Sequence, residues 1–179
     1  MIQQYLQPHD YNMGGMMSTE KYKNVFISHH HKDDAHVDEL TNLLQKRGYN
    51  IRNSSIRAKP ANQERLDKGL IKEATLKRLL RMKISWAGTT IVLVGKETHS
   101  RPWVNWEIEQ AHRQGKKIVG IYEKGLKDNV DLPDALEKYG TSQVGWDPKS
   151  IISAIEDEPV FQNPDGTPSP IKDGPRDVC

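Results

Sequence analysis

The chain has 179 residues and carries 26 Lys and Arg against 24 Asp and Glu. It is long enough for one ordinary domain and too short for two large ones, and a net charge of +2 supplies no field that would draw it to nucleic acid or to a membrane. Its only cysteine is Cys179, which excludes an intrachain disulfide, no apolar run approaches the roughly 20 residues of a membrane span, and the N-terminus lacks the apolar core of a signal peptide, so a cytoplasmic protein is expected.

Residues 1–21 are polar and aperiodic and contain MGGMM, so Met16 or Met17 offers an alternative start and the segment is expected to be a flexible N-terminal extension. NVFIS, Asn24 to Ser28, is the first apolar strand. A helix follows from about Asp33 to Arg47, with Val37, Leu40, Leu43 and Leu44 at amphipathic spacing and Gly48 to stop it. Tyr49 to Ile51 is a weaker strand, and a long helix is expected from about Asn62 to Ile84 on Leu66, Leu70, Ala74, Leu76, Leu79 and Leu80. TTIVLVG, Thr89 to Gly95, is the next strand, followed by a helix from Pro102 to about Gln114 that proline starts and Gly115 ends. KKIVGIY, Lys116 to Tyr122, is the fourth strand, and a short helix follows Asp147-Pro148. Residues 158–179 hold five of the ten prolines and are expected to be a Pro-rich tail. Between the ends, residues 22–157 alternate strands and helices. The near-continuous apolar strands predict an α/β fold, a flavodoxin-like, three-layer, doubly wound parallel sheet with helices on both faces.

Ligands in such sheets sit beyond the carboxyl ends of the strands, and two segments are placed to meet there. SHHHKDD, Ser28 to Asp34, follows the first strand. Three adjacent histidines invite a zinc reading, but neighbours on a strand or turn diverge and no matching Cys/His group lies downstream, so no metal site is expected. Asp33 or Asp34 can cap the next helix, while Ser28, His29, His30 and His31 remain available to a ligand. In RPWVNWEIEQ, Trp103, Trp106, Glu107 and Gln110 share one helix side, whereas Glu109 is turned about 200° from Glu107. One carboxylate is therefore available to a cleft. Spacing alone favours tryptophans that pack on the sheet and a Glu107 that is solvated near the helix start.

VFISHHHKDD, followed by LKRLLRMKISWAGTTIVLVGKETHSRPWVNWEIEQAHRQGKKIVGIY, resembles the TIR (Toll/interleukin-1 receptor) superfamily, closest to the TIR-like subfamily that includes ThsB of bacterial Thoeris anti-phage defence. The resemblance runs from about Lys23 to Tyr122. It places Ser28 at the small polar residue ending the first strand, Ser85 at the serine ending the helix before the third strand, and Trp103 to Glu107 on the Trp-x-x-x-Glu signature. It implies cleavage of the nicotinamide ribosyl bond of NAD⁺, with NAD⁺ as substrate and no further cofactor, Glu107 as catalytic residue, and Ser28, His29, His30, His31, Ser85 and Trp103 as substrate-binding residues. Among the histidines, His30 aligns best with a histidine of the related first loop.

The resemblance further implies a cyclic or conjugated ADP-ribose messenger that reaches an effector protein in anti-phage defence, together with self-association of the domain. Ile51 to Gln63, where TIR domains carry the loop that meets a neighbouring subunit, reads IRNSSIRAKPANQ and departs from the family pattern. Two other functions fit the same chain: a non-catalytic interaction module working through that loop, and a nucleoside deoxyribosyltransferase-like glycosidase on a related sheet.

Overall fold

The computed structural model describes residues 24–29, 34–53, 64–65, 67–156 and 159–170. Five parallel strands form one sheet: β1 (Asn24–Ser28), β2 (Asn50–Asn53), β3 (Thr89–Val94), β4 (Lys117–Tyr122) and β5 (Ser142–Val144). Their spatial order is β2-β1-β3-β4-β5, the flavodoxin-like order. The helices are α1 (Asp34–Gln45), α2 (Glu73–Trp86), α3 (Pro102–Arg113), α4 (Asp134–Tyr139) and α5 (Pro148–Glu156), with a 3₁₀ turn at Thr98–Ser100.

Strand alternation sends the two halves of each strand's side chains into separate cores. Val25, Ile27, Ile91, Leu93, Val119, Ile121 and Val144 pack against α1 and α5, through Val37, Leu40, Leu44, Ile151 and Ala154. Phe26, Val92, Val94, Ile118 and Tyr122 face α2, α3 and α4, through Leu80, Ile84, Val104, Ile108, Ala111 and Leu136. Every residue of β3 is buried, as a central strand covered on both sides must be. Gly120 in β4 leaves room for α4, since a Cβ there would lie 3.0 Å from Leu136 Cδ2.

The long helix expected from about Asn62 to Ile84 is interrupted. Gly69 adopts φ +68°, and the Arg65 carbonyl accepts the N–H groups of Leu70 and Ile71 at 2.8 and 3.2 Å, which ends a first turn before α2 begins at Glu73. Leu76 and Leu80 of the expected apolar stripe are buried, but Leu70 is 69% exposed and Leu79 37%, so the stripe was two segments with different faces. Leu66 lies outside the described residues, as do the side chains of Asp33 and Asp34 that were expected to cap α1.

The expected tail is also different. Residues 159–170 lie along the outer edge of β5: the Gln143 N–H donates to the Val160 carbonyl at 2.8 Å, and the Gln162 N–H donates to the Gln143 carbonyl at 2.7 Å. Asn163-Pro164-Asp165-Gly166 then turns the chain back, with Gly166 at φ +85° and the Asp165 carboxylate accepting from the Thr167 N–H at 2.9 Å. The Ser169 N–H closes the hairpin on the Phe161 carbonyl at 2.9 Å. Among the described residues no helix is long and apolar enough to cross a membrane.

Truncation after Glu156 removes these edge hydrogen bonds and the packing of Val160 on the core. It is expected to lower unfolding stability by about 2–4 kcal/mol, read as a reduced urea midpoint with the α/β circular dichroism retained. An unchanged midpoint would mean the hairpin contributes nothing to the fold.

Candidate functional site at the sheet switch point

The chain leaves β1 toward β2 on one side and leaves β3 toward β4 on the other, so the switch point, where sheets of this kind take their ligands, lies at the carboxyl ends of β1 and β3. Ser28 closes β1 at this point, in register with Val92, and shares the face of Phe26 that looks toward α3. Ser28 and the following His29 are both completely buried.

The return path of α3 supplies the second half of the site. After β3 the Gly95 N–H donates to Thr98 Oγ1 at 2.8 Å, and the buried Thr98 hydroxyl reaches back to the Leu93 carbonyl at 3.4 Å. Arg101 pairs with Glu97 at 2.6 Å across the same turn, and Pro102 occupies the first helical turn, where its missing N–H costs nothing. The helix is then wedged between its neighbours. Arg81 Nε of α2 donates to Gln110 Oε1 at 3.2 Å, and on the opposite side Asn105 Oδ1 accepts the otherwise orphaned Ala135 N–H at the start of α4 at 2.9 Å.

This wedging brings Glu107, on the second turn of α3, over the end of β1. The Ser28 hydroxyl donates to Glu107 Oε2, and neither residue has exposed surface. Glu109 points the other way and forms a loose surface pair with Arg113 at 3.6 Å, as helical spacing predicts. The expectation of a solvated Glu107 is thereby overturned: the carboxylate lies inside the protein and is held by a strand residue 79 positions earlier.

The two tryptophans divide from Glu107. Trp103 and Trp106 meet edge to face at 5.7 Å, and both lie half-buried against the α2–α3 core. Lys77 of α2 sits 5.6 Å from the Trp103 ring and 5.7 Å from that of Trp106, and Arg81 sits 5.4 Å from Trp106. Their work is to seal α3 against α2. Ser85 is not brought to this site. It is exposed on the last turn of α2, at the amino-terminal edge of the sheet, and its carbonyl accepts from Lys116 Nζ at 3.0 Å just before β4. His30 and His31 lie outside the described residues. Among the described residues no three His, Cys, Asp or Glu side chains gather as a metal site would need.

Thr98 and Asn105, which aim α3, were not singled out from the sequence. Their signal was a threonine three residues after the strand-ending glycine, and an asparagine near the start of the helix.

Residues 26–128, more than half of the chain and all of the site just described, match the family described as Thoeris protein ThsB, TIR-like domain. The chain belongs to this ThsB TIR-like family. It is also 30% identical over 106 residues to a Bacillus cereus (strain MSX-D12) protein named "Putative cyclic ADP-D-ribose synthase ThsB1", a match covering 59% of this chain and 54% of that protein. The ThsB-like chain therefore spans about half the length of the curated relative it matches.

The hydroxyl–carboxylate pair should be measurable in the stability of this ThsB-like domain. Ser28→Ala removes a donor from a buried carboxylate and is expected to cost about 1–3 kcal/mol in urea unfolding. In a Glu107→Gln background the same change is expected to cost at least about 1 kcal/mol less, and equal costs in the two backgrounds would show that the pair does not couple.

Proposed function

We propose that this protein cleaves the nicotinamide ribosyl bond of NAD⁺, with Glu107 as the catalytic carboxylate and Ser28 as the residue that orients it. The observation that carries this reading is the buried Ser28–Glu107 hydrogen bond at the switch point, where ligands of doubly wound sheets bind. Membership of the ThsB TIR-like family and the name of the Bacillus cereus relative support the choice of NAD⁺ as substrate.

One carboxylate suffices for this chemistry. In NAD⁺ the leaving group is a cationic pyridinium, so the C1′–N bonding pair departs with nicotinamide and neutralises it, and no general acid has to supply a proton. Positive charge develops on the ribose as the bond breaks. An ionised Glu107 beside it stabilises the transition state more than the ground state, and the low dielectric of a fully buried site strengthens the effect. Because Glu107 and Ser28 have no exposed surface, substrate entry must open the cover above them, and ribose hydroxyls then join Ser28 as donors to the carboxylate.

The acceptor decides the product. Water gives ADP-ribose and a proton, whereas an adenine nitrogen or ribose hydroxyl of the same molecule gives a cyclic ADP-ribose. We assign a cyclic or conjugated product to this protein, the cyclic form in line with the relative's name, and, as the resemblance implies, give it the part of a messenger that activates an effector in anti-phage defence. His29, buried beside Ser28, and His30 and His31 enter as substrate-binding residues on the resemblance alone. Trp103, which packs in the α2–α3 seam, and Ser85 have no part in this proposal.

Incubation of the purified protein with NAD⁺, alone and with extract of phage-infected cells, should release nicotinamide, detected by mass spectrometry. Glu107→Gln is expected to lower the rate by about 10²–10³-fold and Ser28→Ala by about tenfold. Release that survives Glu107→Gln at the wild-type rate, or a preference for free nucleosides over NAD⁺, would overturn the assignment.

A further inference from the structure

Away from Glu107, the carboxyl ends of β4 and β5 open into a cleft of about 570 Å³. The hairpin makes its outer wall, and its tip comes so close to Gly145 that a Cβ there would lie 3.1 Å from the Pro164 carbonyl oxygen. The volume suits a small ligand, although the cleft lies to one side of the switch point where sheets of this kind usually take one. Neither Ser28, His29 nor Glu107 lines the cleft, so it is distinct from the switch-point site.

Its chemistry is that of an acceptor surface beside an aromatic wall. Glu123 follows β4 directly, and its N–H is fixed to the Val94 carbonyl at 3.0 Å. Its carboxylate rests over Gly95, where any Cβ would come within 2.4 Å of Oε1. Oε1 is buried against Gly95 and has no hydrogen-bond partner among the described residues, which leaves Oε2 as the oxygen of this carboxylate that a ligand can reach. Trp146 stands two residues beyond β5, half-buried and tilted against His36 with ring centres 5.8 Å apart. Three acidic residues, Glu123, Asp147 and Asp165, line the cleft with one cation, Lys127, which disfavours a phosphate.

Asp147 already accepts from the Ser150 N–H and hydroxyl, and Asp165 from Thr167, so these two serve their own turns and do not converge with Glu123 on a cation. What remains is Glu123, whose carboxylate accepts no hydrogen bond among the described residues, in the same lining as the flat Trp146 ring. We propose that this cleft binds an uncharged nucleoside, whose ribose diol donates to the Glu123 carboxylate while its base lies against Trp146. The proposal is independent of the NAD⁺ reading.

Adenosine is the probe, titrated calorimetrically into the full chain. Saturable binding at one site is expected, with 2′,3′-dideoxyadenosine at least about tenfold weaker because the diol is lost, and adenosine 5′-monophosphate also weaker because of the surrounding carboxylates. Glu123→Gln and Trp146→Ala should each weaken adenosine by about tenfold or more, while Glu107→Gln, which alters the other site, leaves the affinity at its wild-type value. The proposal is overturned by absence of saturation up to about 10 mM adenosine, by dideoxyadenosine binding as tightly as adenosine, or by affinity lost in Glu107→Gln and kept in Glu123→Gln. Should either cleft variant fail to fold by circular dichroism, the ligand series on the unaltered protein still decides.

Discussion

A carboxylate with no exposed surface must be met by donors, because desolvating it otherwise costs several kcal/mol. Much of the local architecture follows from meeting that demand at Glu107. The first strand ends in a small hydroxyl residue on the side facing α3, the turn after β3 is locked by Thr98, and α3 is gripped by Arg81 from one side and tied to α4 by Asn105 on the other. Each of these fixes where the carboxylate lies relative to Ser28. The two tryptophans belong to the same arrangement, since their bulk, shielded by Lys77 and Arg81, holds the α2–α3 seam closed and leaves the buried side of α3 to Glu107 and the aliphatic residues.

The sequence was most informative where local chemistry and tertiary role agree. β1, β3 and β4 are legible because a central strand covered on both faces needs unbroken apolar residues, and α3 because Pro102 and Gly115 mark its ends. β5 was missed because three residues, Ser142-Gln143-Val144, carry almost no hydrophobic signal and become a strand only through pairing with β4. The interrupted helix before β3 shows the opposite failure. Leucines at helical spacing outvoted Gly69, although a glycine at positive φ is what lets Arg65 accept two N–H groups and end the turn. In the last segment the proline count hid a stronger local sign, since Asn163-Pro164-Asp165-Gly166 is itself a turn sequence.

The site was legible only in halves. Helical spacing separated Glu107 from Glu109, and alternation along β1 left Ser28 at a strand end, but nothing in either segment says that the two touch. That contact comes from the strand order, which lays β1 beside β3 and so brings α3 back across it. Ser85 illustrates the converse. Its place in the chain is that of a residue just before a central strand, yet a helix that feeds a parallel strand ends at the amino-terminal edge of the sheet, opposite the switch-point site.

The two rims of the sheet are treated unequally. Among the described residues no strand pairs with the outer edge of β2, which is short, four residues long, with Asn50 and Arg52 exposed and Arg52 lying 4.1 Å over the Trp86 ring, features that discourage pairing with another chain. β5 is covered instead by the 159–170 hairpin, which arrives after every strand has been made. During synthesis the sheet can therefore assemble before its last edge is sealed, and the nascent chain passes through an interval in which β5 offers open N–H and C=O groups to any extended segment nearby. The speed with which the ribosome delivers that hairpin then becomes a factor in how much of the protein escapes aggregation.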